Sequence, residues 1–267
     1  MSEILRAEHI TKIYDDKQVL GDISLSLNEG ELVSILGVSG VGKTTLFNVL
    51  SGLVIPEEGR VLLRADSLNP EGTVDAAKKD ELSGEDMQDI TGKTGMLSYM
   101  LQKDLLLPHK RVIDNVALPL TLKGVPRKEA RERAAALFPK FGLEGSERKF
   151  PSEMSGGMRQ RAALLRTYLC DKKVALLDEP FSALDTITRT AIQDWYLAVM
   201  DEIHLSTLFI THDMDEAILL SDRIYIMSGS PAKFTAEIKI EEPKPRNHDF
   251  MITEEFLAYK KKIRNML

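Results

Sequence analysis

GVSGVGKTT, residues 37–45, decides how this chain is read. Gly37, Gly42, Lys43 and Thr44 satisfy the pattern G-x-x-x-x-G-K-[ST]. The apolar run "ELVSIL" leads into it as a strand. The run "TTLFNVLSGL" leads out with Leu46, Val49, Leu50 and Leu53 at helical spacing and stops near Pro56. Strand, glycine loop and helix in that order form a phosphate cradle: glycines let backbone N–H groups turn inward, and the helix N-terminus adds partial positive charge. The expected contacts are Gly37, Val38, Ser39, Gly40, Val41, Gly42, Lys43, Thr44 and Thr45. Lys43 would reach the β- and γ-phosphates and the Thr44 hydroxyl would bind Mg²⁺. A second "GKT" at Gly92-Lys93-Thr94 fails the same test, because Met87 stands where the upstream glycine belongs and no apolar strand precedes it.

Further along, "VALLDEP" is a short, continuously apolar stretch ending in two carboxylates, as a buried parallel strand opening onto a ligand edge should. Asp178 would hold Mg²⁺ through its water shell, and Glu179 would polarise the water that attacks a γ-phosphate. "TLFIT", 207–211, repeats the apolar pattern and ends at His212, which parallel pairing would bring to the same sheet edge for a γ-phosphate contact. Gln102, after "MLSYML", ends another strand and would bind either Mg²⁺ or the attacking water. Strands alternating with a helix striped by Ile187, Ala191, Trp195 and Val199 imply an α/β sheet.

Around this core, residues 4–36 read as a half-buried antiparallel layer, with Ile23, Leu25 and Leu27 of "DISLSL" facing inward. Residues 64–94 read as a polar, solvated excursion. Residues 103–170 read as a helical subdomain, with Pro126 starting one helix and Ser155 capping another. Residues 1–240 then form one domain, and 241–267 a short tail with a terminal helix.

The composition, 43% hydrophobic and 28% charged, suits a globular domain with a real core. A net charge of −6 gives no electrostatic footprint for nucleic acid. No apolar run approaches the ~20 residues that cross a bilayer, and "MSEILRAEHI" lacks a signal-peptide layout, so a cytosolic protein is expected. The single cysteine, Cys170, fits a reducing compartment and reads as a small buried residue.

"EMSGGMRQR", residues 153–161, has neither a nucleophile beside a base nor a metal-ligand pair. Its Ser155 offers a hydroxyl, and Gly156 and Gly157 leave N–H groups open at the positive end of a helix. With "GVSGVGKTT", Gln102, "LLDEP", "SALD" and "THD" in this order, the chain resembles the ATP-binding subunit of an ABC transporter over most of residues 5–230. The resemblance implies a P-loop NTPase fold: a RecA-like parallel-sheet core, an antiparallel β layer and a helical subdomain. It implies ATP and Mg²⁺ as ligands. It also implies a head-to-tail dimer with a second copy, in which Ser155, Gly156 and Gly157 bind the ATP held by the opposite copy. Met154 and Met158 stand where the family usually has leucine and glutamine. By the same resemblance Tyr14 would stack on adenine, and Ser182-Ala183-Leu184-Asp185 would bridge the copies, with Asp185 near the opposite nucleotide.

The resemblance also implies integral membrane permease subunits, an indirect solute-binding protein, and a place on the cytoplasmic face of the cell membrane. Residues 103–125 would meet the permease's coupling helices, "LLLP" serving either as docking groove or as core. The wording "SGGMRQR", "LLDEPFSALD" and "SDRIYIMSGSPAK" is similar to the branch importing nitrate, sulfonate, taurine and related nutrients. An exporter cassette remains open as an alternative. DNA- and translation-associated ATPases fit less well, since no heptads separate Lys43 from Ser155 and only one cassette is present. A small-molecule kinase would leave "MSGGM" and "SALD" without a role.

Overall fold

The structure, a computed structural model, describes residues 2–68, 86–182, 205–244, 246 and 248–267, together with 192, 193, 195–197, 199 and 203. The chain divides into two compact units. One comprises Met1–Leu97, Lys172–Asp178 and His204–Leu267; the other comprises Ser98–Asp171 and Glu179–Ile203.

The first unit holds two sheets. β1 (Glu3–Tyr14) and β2 (Lys17–Asn28) form a hairpin closed by Asp15 and Asp16 with φ of 47° and 61°, the left-handed pair that a two-residue hairpin turn requires. β4 (Glu58–Arg64) pairs with β1, and β5 (Met87–Asp89) pairs with β4, all antiparallel, in the order β2-β1-β4-β5. Ile23, Leu25 and Leu27 are buried as their alternation requires. β3 (Leu32–Leu36) does not continue this layer. Every residue of it is buried, and it pairs in parallel with β8 (Ser206–Thr211) and β9 (Arg223–Ser228) in the second sheet. In sequence it reads as part of the antiparallel layer; burial on both faces places it in the parallel sheet instead. β7 (Val174–Asp178) pairs in parallel with β8, and β10 (Lys233–Lys239) adds an antiparallel edge to β9, giving β10-β9-β3-β8-β7 within this unit.

Two other stretches differ from the sequence reading. Within 64–94, β5 and Ile90 belong to the antiparallel layer, Ile90 being 1% exposed and donating to Val61 O at 2.8 Å; residues 69–85 lie outside the described residues. The segment after 240 belongs to the first compact unit, where Phe256 and Ile263 are buried beside Ile218, Ile224 and Ile226.

The second unit begins with the short strand β6 (Ser98–Met100) and holds helices α2 (Val112–Val116), α3 (Leu118–Leu122), α4 (Arg127–Ala135) and α5 (Gly156–Tyr168), with Phe138 and Phe141 fully buried. Trp195 meets Phe141 edge-on at 5.7 Å, and the Arg161 guanidinium lies 4.8 Å over the Trp195 ring. Asp114 on α2 accepts from both Arg127 and Arg131 on α4, fixing one helix to the other. Arg131 first, then Arg127, holds the Asp114 carboxyl below the usual carboxylate range.

Candidate functional site

The first unit places three sequence motifs on one edge of its parallel sheet. Leu36 pairs with Thr211 and Asp178 pairs with Ile210, so Gly37, His212 and Asp178 all emerge where these strands end. From β3 the chain enters the loop 37–42 and then α1 (Lys43–Leu50). Gly37 is required by contact: a Cβ there would lie 2.5 Å from Met227 O. Gly42 is required by conformation, with φ of 120° directly before α1. Gly40 faces open space, and Val38 and Ser39 are exposed, so the loop's backbone is accessible. Val41 of the loop and Thr45 of α1 are half-buried.

Lys43 folds back over this loop, its Nζ donating to Gly37 O at 2.7 Å and Val38 O at 2.9 Å. A nearly buried ammonium is thereby held against two backbone carbonyls of the loop. Beside it, the Thr44 hydroxyl donates to Asp178 Oδ2 at 3.0 Å. A hydroxyl and a carboxylate, both hard oxygen donors, next to an accessible phosphate loop suit Mg²⁺, which takes one or two protein ligands plus substrate phosphates.

His212 is exposed at the end of β8, between two pinned neighbours. Thr211 Oγ1 donates to Glu216 at 2.7 Å and accepts from Asp213 N at 3.0 Å. The Asp213 carboxylate caps α6 (Met214–Leu220) by accepting from Asp215 N and Glu216 N. Tyr14 is 42% exposed at the hairpin end. Lys12 Nζ lies 5.0 Å from its ring centroid and is tethered to Glu57 at 2.7 Å. That bond to Lys12 holds the Glu57 carboxyl below its ordinary value.

The second unit carries the remaining residues. Gln102 Nε2 donates to Glu179 Oε2 at 3.1 Å, so these two side chains, 77 positions apart, meet directly. Glu179 sits at φ of 46°, a left-handed conformation that costs a non-glycine residue energy and concentrates at functional sites. Its carbonyl accepts from both the backbone and the hydroxyl of Ser182, which holds the turn. Ser155 caps α5 by accepting from Met158 N at 3.3 Å. It is exposed, with Gly156 half-buried and Gly157 buried behind it, at the start of a 13-residue helix. Asp185 lies outside the described residues, as do Ala183, Leu184, Ile187 and Ala191.

Three features of the site escaped the sequence reading. Arg159, on the first turn of α5, pairs with Asp104 at 3.1 Å, joining the serine-glycine helix to the chain just after Gln102. Asn115, fully buried, accepts from Leu107 N and donates to the carbonyls of Leu107, Lys110 and Arg111, pinning the turn that leads into α2. The cap at Asp213 was visible in principle, since Asp213-x-x-Glu216 has capping-box spacing. Nothing in the local sequence marks the other two.

A model of the ABC transporter family matches residues 20–182. The chain belongs to that family. It is 36% identical over 241 residues to the formylaminopyrimidine import ATP-binding protein ThiZ of Halalkalibacterium halodurans, covering 90% of this chain and 86% of that one. It is 40% identical over 234 residues to the aliphatic sulfonates import ATP-binding protein SsuB 1 of Rhodococcus jostii, covering 88% and 82%. Among solved structures it resembles an ATP-binding cassette captured as a dimer after hydrolysis with ADP and Pi. The TM-score is 0.69 and the identity 27%, over 90% of this chain and 100% of that one. Within the family the chain is an ATP-binding subunit, an ABC-type ATPase coupled to transport. Among the described residues no helix is long and apolar enough to cross a membrane.

Proposed function

We propose that this chain is the motor subunit of an importer for a small nutrient, docked on permease subunits at the cytoplasmic face of the cell membrane and served by a solute-binding protein. The observation that carries the nucleotide chemistry is the 3.0 Å bond between the Thr44 hydroxyl and Asp178 beside the Lys43 loop. The direction of transport rests on the relatives named as import proteins.

In this reading the amides of residues 37–45 and the Lys43 ammonium bind the ATP phosphates, and Tyr14 stacks on adenine. Thr44, Asp178 and Gln102 hold Mg²⁺, which when bound supplies charge neutralisation for the departing diphosphate. Glu179 accepts the proton of the attacking water as its oxygen bonds to the γ-phosphorus, and the bond to the ADP oxygen breaks. Gln102, bonded to Glu179, orients that carboxylate. His212 donates to a γ-phosphate oxygen. Ser155, Gly156 and Gly157 of a second copy close the same nucleotide from the other side, with Asp185 bridging the copies. Two ATP molecules thus sit between two copies; closure and hydrolysis drive the permease between its access states.

The test is a pull-down of the tagged chain from detergent-solubilised membranes of its own cells, with companions identified by mass. A multi-spanning membrane protein together with a solute-binding protein is the expected outcome. Ribosomal or DNA-bound companions without a membrane protein would overturn the transport assignment.

A further inference from the structure

α6 begins two residues after His212 and has only seven residues, too few to hold its own position in water. The C-terminal segment, which reads as a tail in sequence, fastens it at both ends. At the first turn, Lys260 Nζ lies 2.6 Å from one Asp215 oxygen and 2.9 Å from the other. At the last turn, Arg246, 4% exposed, donates from Nη1 to Ser221 O at 2.6 Å, Ile218 O at 3.0 Å and Leu219 O at 3.4 Å. These are the carbonyls that a helix end leaves without partners. Just before Arg246, Lys244 reaches Asp222 at 2.7 Å, and the same carboxylate oxygen accepts from Leu32 N at the start of β3.

Between the two ends, Ala217 and Ile218 of α6 share a buried cluster with Phe256 and Ile263 of α7 (Glu254–Arg264) and with Leu36, the residue before the phosphate loop. Burial pushes the Arg246 guanidinium below its ordinary value, and its three carbonyl bonds offset part of that lost hydration. No motif of the ATP site accounts for any of these contacts.

We infer that Arg246 and Lys260 are positioning residues for His212: the C-terminal segment clamps α6 from both ends and so fixes His212 at the sheet edge. The catalytic consequence rests on the reading of His212 as a γ-phosphate contact. Loosening the clamp lets α6 shift along its axis and carries His212 with it, through the Thr211–Asp213–Glu216 bonds that couple the strand end to the helix.

The experiment uses the full chain with ring-labelled histidine, of which it has five, and assigns His212 with a His212→Gln variant. Arg246→Met removes the carbonyl cap while keeping the side-chain length; Asp215→Lys breaks the other end; Asp215→Lys with Lys260→Asp restores the ion pair in reverse. Lys239→Ala, which removes an exposed pair with Glu241 away from α6, is the control. Without nucleotide, both single variants should move the His212 ring resonance while those of His9 and His109 stay, and the charge-swapped pair should return it. In ATP turnover the same single variants should lower kcat about tenfold with KM for ATP within about twofold, the size expected of a sub-ångström misplacement. An unmoved His212 resonance in both single variants overturns the clamp, as does a charge-swapped pair that fails to restore it. A resonance that moves and is restored while kcat stays level upholds the clamp and removes His212 from the γ-phosphate.

Discussion

Glu179 should be more stable as glycine than as alanine, the reverse of the usual order. At φ of 46° an L-residue in the left-handed region costs about 1–2 kcal/mol, which glycine does not incur. Glycine loses about 0.4–1 kcal/mol through the greater freedom of its unfolded chain. Both variants lose the 3.1 Å bond from Gln102, so that contribution cancels in the comparison. The midpoints of the two ranges leave about 0.8 kcal/mol in favour of Glu179→Gly. For a chain of this size that is roughly 1–4 °C in melting temperature, read by calorimetry on nucleotide-free protein. Turnover should fall at least about 100-fold in both, or about 2.7 kcal/mol of barrier, because neither retains the carboxylate proposed as the base. An alanine variant melting at or above the glycine variant would refute the strain argument, and turnover surviving in either would refute the role of Glu179.

Three other outcomes follow from the site. Ser155→Arg should abolish ATP-dependent dimers while leaving nucleotide binding to the single chain intact, because a long cation would occupy the opposite γ-phosphate position; sedimentation with and without ATP reads this, and normal dimers would defeat the claim. Thr44→Val keeps the shape but removes the hydroxyl bonded to Asp178, so the Mg²⁺ concentration for half-maximal turnover should rise at least about tenfold; an unchanged Mg²⁺ titration would contradict it. Asp114→Asn should destabilise by about 1 kcal/mol at neutral pH, a modest value because its arginine partners are largely exposed. The Asp114 pKa is lowered on folding, so this stability is present above the ordinary carboxylate value and lost as pH falls through the lower folded one. The two proteins should therefore converge in acid, and a gap that widens below about pH 4 would reverse the assignment.

The sheet edge proposed to hold nucleotide is legible in sequence because a phosphate loop demands rare residues in fixed places. Gly37 and Gly42 serve a close approach and a left-handed φ that other residues fit poorly, and the flanking apolar runs announce strand and helix. β3 groups in sequence with its chain neighbours β1 and β2, whereas the strands it pairs with, β8 and β9, lie far along the chain, and no local pattern marks such a partner. The C-terminal segment reads as a tail because "EEPKPRNHD" is polar and proline-bearing; among the described residues Phe256 and Ile263 are buried in the core, with Phe250, Met251 and Tyr259 packed against the same cluster. Long-range polar pairs such as Arg159 with Asp104, or Arg246 with the end of α6, leave no periodic trace. Nor do the left-handed His9 and Asp22, bonded at 2.7 Å across β1 and β2, since that strain comes from bulges in the pairing rather than from residue type.

The most direct measurement is the mass of Glu179→Gln in solution with and without ATP and Mg²⁺, with bound nucleotide counted. A carboxamide cannot accept the proton, so the closed state should accumulate: a species of twice the 29.9 kDa chain, holding two unhydrolysed ATP molecules, that reverts to single chains when nucleotide is removed. Single chains at saturating ATP, or a dimer indifferent to nucleotide, would contradict a site completed by Ser155, Gly156 and Gly157 of a second copy.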